Sequence, residues 1–237
     1  MSNVRLHYPD TIVKNSTSLL SKEHTHYVVN VMRLKRGSFI NFFNKKGEWL
    51  SEIVFLERDR VEVKFLNKIK ESSITSNIEL AICLVKKTPM EIILQKATEL
   101  GVSRITPIIS ERTEVKELNF ERAIKITVEA TEQSNQLNPP VINKVTKLKD
   151  FISNINQDKK LFFADINSEY RMKPADIKKN QSISILIGPE GDFSSQERKL
   201  ILATSNLTSF TLSRNILRTD TAVISAISLV NFINNDH

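Results

Sequence analysis

The sequence predicts an α/β protein with a small β-rich N-terminal domain, residues 1–72, and a larger C-terminal domain, residues 73–237. Two observations support this. Residues 1–70 contain short, partly alternating β-rich runs around a single helix. Beyond them, short apolar strands alternate with amphipathic helices, a pattern typical of a mostly parallel sheet covered by helices on both faces.

The N-terminal domain is predicted to be a small β-barrel with one helix. Ser21 can cap a helix over residues 22–32, and Gly37 follows the end of that helix. The β-rich runs after it are residues 38–43, 48–55 and 60–66.

Six aromatic side chains in or beside these runs could form either the core of the barrel or platforms on which RNA bases stack. They are Phe39, Phe42, Phe43, Trp49, Phe55 and Phe65. Aromatic residues at strand spacing more often belong to a core, so the sequence assigns no stacking residue.

A polar linker is predicted at residues 70–77, and strands and helices alternate after it. Residues 78–85 form an apolar strand, and Thr88 begins a capping box for a helix that ends near Gly101. Further strands are predicted at residues 104–109, 161–165, 182–187 and 208–212. Further helices are predicted at residues 119–134, at 148–155, after the cap Ser194, and at 219–234.

Ligands of such sheets bind beyond the carboxyl ends of the strands. The loops that should form a binding site are therefore residues 164–169, 188–194 and 213–219.

The charge is concentrated at the N-terminus. The chain has 34 Lys and Arg against 27 Asp and Glu, a net charge of +7. Residues 1–70 hold 13 of these cations and 7 of the acids, so this part alone carries +6. Clustered cations supply the sequence-independent affinity for nucleic acids, although a solvated lysine-rich surface explains the charge equally well.

The composition excludes several classes of site. The histidines are His7, His24, His26 and His237, and Cys83 is the single cysteine, so neither a Cys/His metal site nor a Cys–His dyad is expected. The five glycines form neither a dinucleotide fingerprint nor a P-loop. No apolar run has spanning length and the N-terminus lacks signal-peptide features, which predicts a cytoplasmic protein.

Two strand-end segments carry candidate chemistry. Gly188 and Gly191 flank a rigid proline after a buried strand and can expose backbone amides to a ligand, but an ordinary tight turn has the same pattern. Arg214 and Arg218 precede a helix and could bind an anion or an RNA phosphate. Asp220 could accept a proton there, although it also suits the first turn of a helix.

A third candidate lies on a helix. Glu129, Glu132 and Gln133 fall within about one helical turn and could present a carboxylate and an amide to a substrate. An exposed charged helix face is the structural alternative.

Seven segments, taken in order, carry a family resemblance over essentially the whole chain. They are residues 5–8, 26–33, 95–102, 110–112, 129–134, Ile187-Gly188-Pro189-Glu190-Gly191 and Leu217-Arg218-Thr219-Asp220-Thr221-Ala222. Each segment is weak alone, but the ordered set is specific. It resembles the ribosomal RNA small-subunit methyltransferase E family (RsmE) of the SPOUT superfamily.

The resemblance implies a fold and an activity. The fold is an N-terminal PUA-like β-barrel that helps to hold rRNA, followed by a SPOUT α/β methyltransferase domain with a deep trefoil knot, in a homodimer. The activity is transfer of a methyl group from S-adenosylmethionine to N3 of uridine 1498, in the decoding region of 16S rRNA in the 30S subunit. No metal is implied.

The resemblance also assigns site residues. Arg218 would stabilise developing negative charge and position the uridine, Asp220 is a candidate base, and Glu129 and Gln133 could reach the base edge. The residues implied to bind the cofactor are Phe163, Ala164, Ile187, Gly188, Glu190, Gly191, Leu212, Ile216, Leu217 and Thr219. Those implied to bind RNA are Arg5, His7, Arg33, Arg112 and Arg214.

The chain departs from the family pattern at several polar positions. Gln136, Asn138 and Asn215 stand where the family usually has arginines, Asp220 replaces a glutamate, and Asp192 replaces a glycine. The lost arginines motivate one alternative, a non-catalytic RNA-binding or ribosome-assembly protein of the same fold. Another alternative is a knotted methyltransferase that acts on another RNA, such as tRNA.

Overall fold

The structure is a computed structural model that describes residues 4–72, 76–178 and 180–235. These residues form two compact units. The N-terminal unit consists of the described residues of Met1–Ile74 together with Thr131–Asn138, and the C-terminal unit of those of Thr75–Ala130 and Pro139–His237.

The N-terminal unit contains a five-stranded sheet in the order β1-β3-β4-β5-β2. Its strands are β1 (Val4–His7), β2 (Thr17–Leu19), β3 (Phe39–Asn44), β4 (Gly47–Leu56) and β5 (Val61–Glu71). Strand β1 is parallel to β3, whereas the other neighbouring pairs are antiparallel. Strands β3, β4 and β5 confirm the three predicted runs.

The linker predicted at residues 70–77 begins too early in the prediction. Lys70 and Glu71 belong to β5 because their backbone pairs with Glu48 and Gly47 of β4. The predicted domain boundary between residues 72 and 73 falls on residues 73–75, which lie outside the described residues.

The aromatic residues of the N-terminal unit divide into buried and exposed sets. Phe42, Phe43, Trp49 and Phe65 are buried, as expected for core residues. Phe55 is half-buried under the guanidinium of Arg60. Phe39, by contrast, has 46% of its surface exposed.

The predicted helix over residues 22–32 is divided in two. Helix α1 (Lys22–His26) begins as expected, with the Ser21 hydroxyl accepting from the His24 backbone amide at 3.1 Å. A π-helical turn, Tyr27–Val31, follows and is closed by a hydrogen bond from Met32 N to Tyr27 O of 2.9 Å. Its sequence is rich in valine, whose branched side chain crowds an ordinary α-helical turn.

The C-terminal unit is built on a seven-stranded parallel sheet, which confirms the predicted α/β class. Its strands are β6 (Ile78–Cys83), β7 (Arg104–Ile109), β8 (Val141–Ile142), β9 (Thr146–Lys147), β10 (Lys160–Ala164), β11 (Ile183–Ile187) and β12 (Leu207–Phe210). The sheet order is β12-β10-β11-β6-β7-β8, and β9 also pairs with β7. The helices are α2 (Lys87–Glu99), α3 (Phe120–Gln133), α4 (Leu148–Ser153), α5 (Ser195–Leu202) and α6 (Thr219–Asn235).

Consecutive strand residues point to opposite sides of a sheet. Because consecutive residues of β6 are apolar, both faces of the sheet are apolar there. Leu80 and Ile82 of β6 pack in one core with buried residues of α2, α3 and α6. Ala81 and Cys83 of the same strand pack in a second core with buried residues of α4 and α5. The near-continuous apolar strand in the sequence thus reflects a strand buried on both sides.

Of the two helix caps predicted at Ser194 and Thr88, the structure contains the first and not the second. The Ser194 cap is confirmed, since its hydroxyl accepts from Glu197 N and the Glu197 carboxylate accepts from Ser194 N. The capping box at Thr88 is wrong: α2 begins at Lys87 and Met90 N already donates to Lys86 O, so Thr88 lies inside the first turn.

Within the described part of the chain, no helix is long and apolar enough to cross a membrane. In the same residues, no group of three or more His, Cys, Asp or Glu side chains is placed to hold a metal ion.

Cys83 is expected to be chemically inert in the folded protein. Its side chain is fully buried in β6, and burial raises the pKa of its thiol to about 12 despite hydrogen bonds from Ser110 and Thr113 that act in the opposite direction. Because the thiolate is the nucleophile, an aromatic disulfide reagent at mildly alkaline pH should label no thiol in the native protein. It should label one thiol per chain in concentrated guanidinium chloride. Rapid labelling of the native protein would contradict this assignment.

Candidate functional site

A cleft lies at the carboxyl edge of the parallel sheet, where strands β10, β11 and β12 end. Three loops form it: residues 164–166, 187–192 and 211–219. These lie in or next to the three loops expected from the sequence. The first turn of α6 completes the wall through Thr219 and Ala222.

Eight of the ten residues expected to bind the cofactor line this cleft. They are Ala164, Ile187, Gly188, Glu190, Leu212, Ile216, Leu217 and Thr219. The other two do not line it: Phe163 is buried, with its ring packed on Phe193, and the carbonyl of Gly191 accepts from Arg112 Nη1 at 2.9 Å.

The cleft combines apolar walls with negative charge. Ile187, Leu212 and Leu217 supply apolar surface. Three carboxylates line it as well, those of Asp165, Glu190 and Asp192, and the lining, drawn from the described residues, includes no Lys or Arg. Such a cleft suits a ligand that has an apolar or aromatic body and carries positive charge.

The loop after β11 is shaped by close packing at Gly188. A Cβ atom at this position would lie 3.0 Å from the ring of Phe193, so a side chain would displace that ring. The loop turns back through a hydrogen bond from Asp192 N to Pro189 O of 3.0 Å. Asp192, which stands where the family usually has glycine, adopts a left-handed conformation with φ of 58°, which aspartate tolerates better than most residues.

A buried carboxylate that the sequence analysis did not single out lies in the cleft. Asp165 is 3% exposed and directly follows β10. Its Oδ2 accepts from Arg198 Nη2 at 2.6 Å and from Ser209 Oγ at 3.1 Å, and its Oδ1 accepts from Asn167 N at 2.9 Å. Asp165 therefore ties the loop after β10 to helix α5 and strand β12. An acid immediately after an apolar strand was the signal available in the sequence.

Asp165 is expected to stabilise the fold in its ionised form. Burial alone would raise the pKa of this carboxyl, but the three hydrogen bonds and the charge of Arg198 outweigh it and lower the pKa below its ordinary value. The stabilisation is therefore complete above the unfolded-state pKa of about 3.9 and disappears as the pH falls through the lower folded-state pKa.

We expect Asp165→Asn to lower the free energy of unfolding by roughly 1–3 kcal/mol at neutral pH, because Arg198 loses its anionic partner. Urea denaturation at a series of pH values should show the difference from wild type shrinking below about pH 4. A difference that is constant with pH would show that the charge of Asp165 contributes nothing to stability.

The predicted catalytic residues Arg218 and Asp220 flank the cleft beside Leu217 and Thr219. Arg218 is exposed, and no described residue is hydrogen-bonded to its guanidinium. Asp220 lies in the first turn of α6, where its Oδ1 accepts from Thr221 N at 2.8 Å. Arg218 is thus available to a substrate, whereas one oxygen of Asp220 already supports the helix start.

The other two predicted catalytic residues, Glu129 and Gln133, are exposed and four residues apart on α3. Neither lines the cleft. Glu129 belongs to the C-terminal unit, and Gln133 is grouped with the N-terminal unit.

The contacts of Arg5 favour a structural role over the RNA-binding role expected from the resemblance. Its Nε and Nη2 donate to the two carboxylate oxygens of Glu48, both at 3.1 Å. Nη1 donates to Thr131 O at 3.4 Å and Glu132 O at 2.8 Å, and Nη2 also donates to Gln136 O at 2.9 Å. All five N–H groups are therefore occupied inside the N-terminal unit, and none is left for a phosphate. Arg5 is a structural residue.

His7 is also poorly suited to bind phosphate. Its backbone amide donates to Glu132 Oε1 at 2.9 Å, and its ring packs against Phe43. Burial, together with the nearby His24, lowers the pKa of His7, so the ring is neutral at neutral pH.

The remaining residues expected to bind RNA are exposed arginines. Arg112 donates to Gly191 O, and among the described residues neither Arg33 nor Arg214 has a hydrogen-bonding side-chain partner. Arg214 lies between Ser213 and Asn215, which line the cleft. Arg33 and Arg214 are therefore free to bind an anion.

Two family models match the chain. One describes an RNA methyltransferase domain and matches residues 70–231, and the other describes an RNA methyltransferase PUA domain and matches residues 20–66. The second match confirms the PUA-like character expected of the N-terminal domain.

Curated relatives and solved structures agree with these models. The ribosomal RNA small subunit methyltransferase E of Rickettsia conorii is 32% identical over 97% of this chain and 95% of its own length. The protein of the same name from Buchnera aphidicola subsp. Schizaphis graminum is 30% identical over 90% of this chain and 89% of its own. The crystal structure of a ribosomal RNA small subunit methyltransferase E from Neisseria gonorrhoeae, bound to S-adenosylmethionine, superposes with a TM-score of 0.89 at 27% identity and covers 98% of both chains.

Proposed function

The chain belongs to the ribosomal RNA small subunit methyltransferase E family, and from that premise we propose that it methylates N3 of uridine 1498 in 16S rRNA of the 30S subunit. It is an S-adenosylmethionine-dependent rRNA methyltransferase with a SPOUT-class α/β domain and a PUA-like N-terminal domain. The trefoil knot, the homodimer and the cytoplasmic location that the resemblance implies stay predictions.

The cleft at the sheet edge fits S-adenosylmethionine. Its apolar walls suit an adenine ring, and Gly188, which has no side chain, contributes backbone to the lining. The carboxylates of Glu190 and Asp192 favour a ligand with a sulfonium and an ammonium group, whereas that of Asp165 is already paired with Arg198. When bound, the cofactor supplies an electrophilic methyl group.

Arg218 is the residue that we assign to the acceptor base. Uridine N3 carries a proton, and its removal spreads negative charge onto the two neighbouring carbonyl oxygens. A guanidinium with free N–H groups at the rim of the cleft can donate to such an oxygen and offset that charge as it develops. Arg218 therefore both orients the uridine and lowers the barrier to loss of its proton.

Asp220 is the candidate proton acceptor. Its Oδ1 is occupied by Thr221 N, which leaves Oδ2 to accept the N3 proton. Glu129 and Gln133 receive no role here because, unlike Arg218 and Asp220, they have no neighbour in sequence that lines the cleft.

The observation that carries this proposal is the convergence of three sequence-distant loops on one acidic, apolar-walled cleft beside a free arginine. The three loops meet in a chain that departs from the family pattern at Gln136, Asn138, Asn215 and Asp220. This convergence favours the enzyme over the non-catalytic alternative, and the experiment that follows separates the two.

Transfer of labelled methyl from S-adenosylmethionine to 30S subunits that lack the modification tests the proposal directly. Nucleoside mass spectrometry of the digested rRNA should yield 3-methyluridine, and fragment mapping should place it at uridine 1498. In a parallel reaction with tRNA, labelled tRNA together with unlabelled 16S rRNA would favour the alternative substrate. Absence of both transfer and calorimetric cofactor binding would favour the non-catalytic protein.

A further inference from the structure

Residues 31–39 of the N-terminal unit, here called the 31–39 turn, expose apolar and cationic side chains together. The turn joins the π-helical turn to strand β3. Val31 is 56% exposed, Met32 39% and Phe39 46%, and the basic side chains between them are exposed too. Exposed apolar residues with cations between them in one short turn make this turn a candidate surface for a partner.

The cations of this turn are unused. In the described part of the chain, no hydrogen bond or ion pair involves the side chains of Arg33, Lys35 or Arg36. Elsewhere in the same unit, Arg5, Arg60 and Lys68 are all paired with glutamates. The turn itself contains no acidic residue. Its positive charge is therefore available to an external anion.

The backbone of the turn is held in place. Lys35 N donates to Ser38 Oγ at 3.1 Å, and Gly37 N donates to Ile53 O of strand β4 at 2.8 Å. Arg33 has a φ of 51°, a left-handed conformation that long side chains rarely adopt. Arg33 lies two residues after the end of the π-helical turn, and both strained residues and π-helical turns are frequent in functional segments.

The carboxylate on the strand next to Phe39 has a cation beside it in the sheet. Glu52 of β4 is the cross-strand neighbour of Phe39, and Lys64 of β5 is the next neighbour in the same row. Within this row of neighbours, the charges of Glu52 and Lys64 cancel.

We propose that the 31–39 turn binds an unpaired nucleotide of RNA, with the base stacked on the ring of Phe39 and the flanking phosphates held by Arg33, Lys35 and Arg36. An exposed aromatic ring and several cations within one short turn match a base joined to phosphates, because each part of the nucleotide meets the complementary chemistry. The proposal rests on RNA being the substrate, and it adds a substrate-holding site outside the methyl-transfer cleft.

The test uses the full chain and a fluorescently labelled single-stranded oligouridylate, with binding followed by anisotropy. Phe39→Ala should raise Kd roughly 5- to 150-fold, whereas Phe39→Trp should stay close to wild type because it preserves a stacking surface. Leu19→Ala is the control, since Leu19 is a 60% exposed apolar residue on a strand of the same unit and lies outside the 31–39 turn. This control should leave Kd within twofold of wild type.

The contribution of the cations is measured separately, from the salt dependence of RNA binding. Lys35→Ala and Arg36→Ala should each reduce the slope of log Kd against log salt concentration by about 0.7, the value for one phosphate contact on a single strand. With 30S subunits, Phe39→Ala should raise the KM for methyl transfer and leave kcat unchanged.

The outcomes separate this proposal from the proposed activity. If the wild-type chain methylates 30S rRNA but Phe39→Ala keeps its Kd and KM, the turn is not an RNA site and the activity stands. Equal weakening by Phe39→Ala and Leu19→Ala would also overturn the site. If Phe39→Ala alone weakens RNA binding while no methyl transfer occurs, the site stands and the activity does not.

Discussion

Replacing Arg5 by alanine is expected to lower the free energy of unfolding by about 3–5 kcal/mol, because it removes one partner of a buried ion pair. The side chains of Arg5 and Glu48 are 13% and 5% exposed. Without Arg5, the Glu48 carboxylate would keep, among the described residues, the hydrogen bond from Asn41 Nδ2, and the carbonyls of Thr131, Glu132 and Gln136 would lose a charged donor. Urea denaturation followed by circular dichroism measures the change.

Two variants serve as controls for this experiment. Arg5→Lys keeps the charge but loses the planar fork that reaches both oxygens of Glu48, so it should recover only part of the stability. Arg33→Ala removes an exposed arginine whose side chain makes no hydrogen bond to any described residue and should change stability by no more than about 0.5 kcal/mol. Arg5→Ala with wild-type stability but weakened RNA binding would restore the RNA-binding role predicted from the sequence.

Arg5 shows that a motif can identify the family without fixing the role of each residue in it. The segment at residues 5–8 helped to identify the family, but an arginine in a recognisable motif can bind phosphate or satisfy buried acceptors. The difference depends on Glu48 and the carbonyls at the end of α3, which are 43 and more than 120 residues away in sequence. No local pattern contains that information.

The α/β class and the cleft loops were predictable because they follow from local sequence patterns. Continuous apolar runs at β6 and β11 predict strands buried on both faces, and the carboxyl-edge rule then selects the loops that follow the strands. The π-helical turn and the short strands β8 and β9 left no comparable periodic signal. Asp165 was missed because its importance lies in its partners Arg198 and Ser209 on later elements.

The exposure of Phe39 likewise depends on tertiary structure. In sequence it resembles Phe42 and Phe43 of the same strand, but only the fold shows that its ring remains in solvent. The core interpretation holds for most of the aromatic set, and the exception adjoins unused cations. The sequence shows that the N-terminal residues are basic, and the structure shows which of these cations lie in the same turn as an exposed aromatic residue.

Replacing Arg218 by alanine is expected to lower kcat/KM for 30S subunits by about 10²–10³, the usual loss for one donor that stabilises developing negative charge. Cofactor affinity should stay within about twofold, because Arg218 is absent from the lining of the cleft. Steady-state methyl transfer and isothermal titration calorimetry give the two quantities. An unchanged kcat/KM with normal cofactor binding would remove Arg218 from the reaction.

Neighbouring arginines separate charge stabilisation from RNA binding. Arg214 lies four residues before Arg218 in the same loop, and its expected role is a phosphate contact. Arg214→Ala should therefore raise KM several-fold with little change in kcat. Arg171→Ala removes an exposed arginine that has no assigned role, so it should alter neither quantity beyond about twofold.

The pH dependence distinguishes electrostatic stabilisation from simple positioning by Arg218. If the guanidinium offsets the charge that develops when the N3 proton leaves, its loss matters least where solvent hydroxide already removes that proton. The activity of Arg218→Ala should then rise more steeply with pH than that of wild type, and the gap should narrow at alkaline pH. A positioning role alone predicts the same fold loss at every pH, because a misplaced uridine stays misplaced whether or not its proton has gone. Parallel pH profiles would therefore assign Arg218 to orientation and leave charge stabilisation to another group.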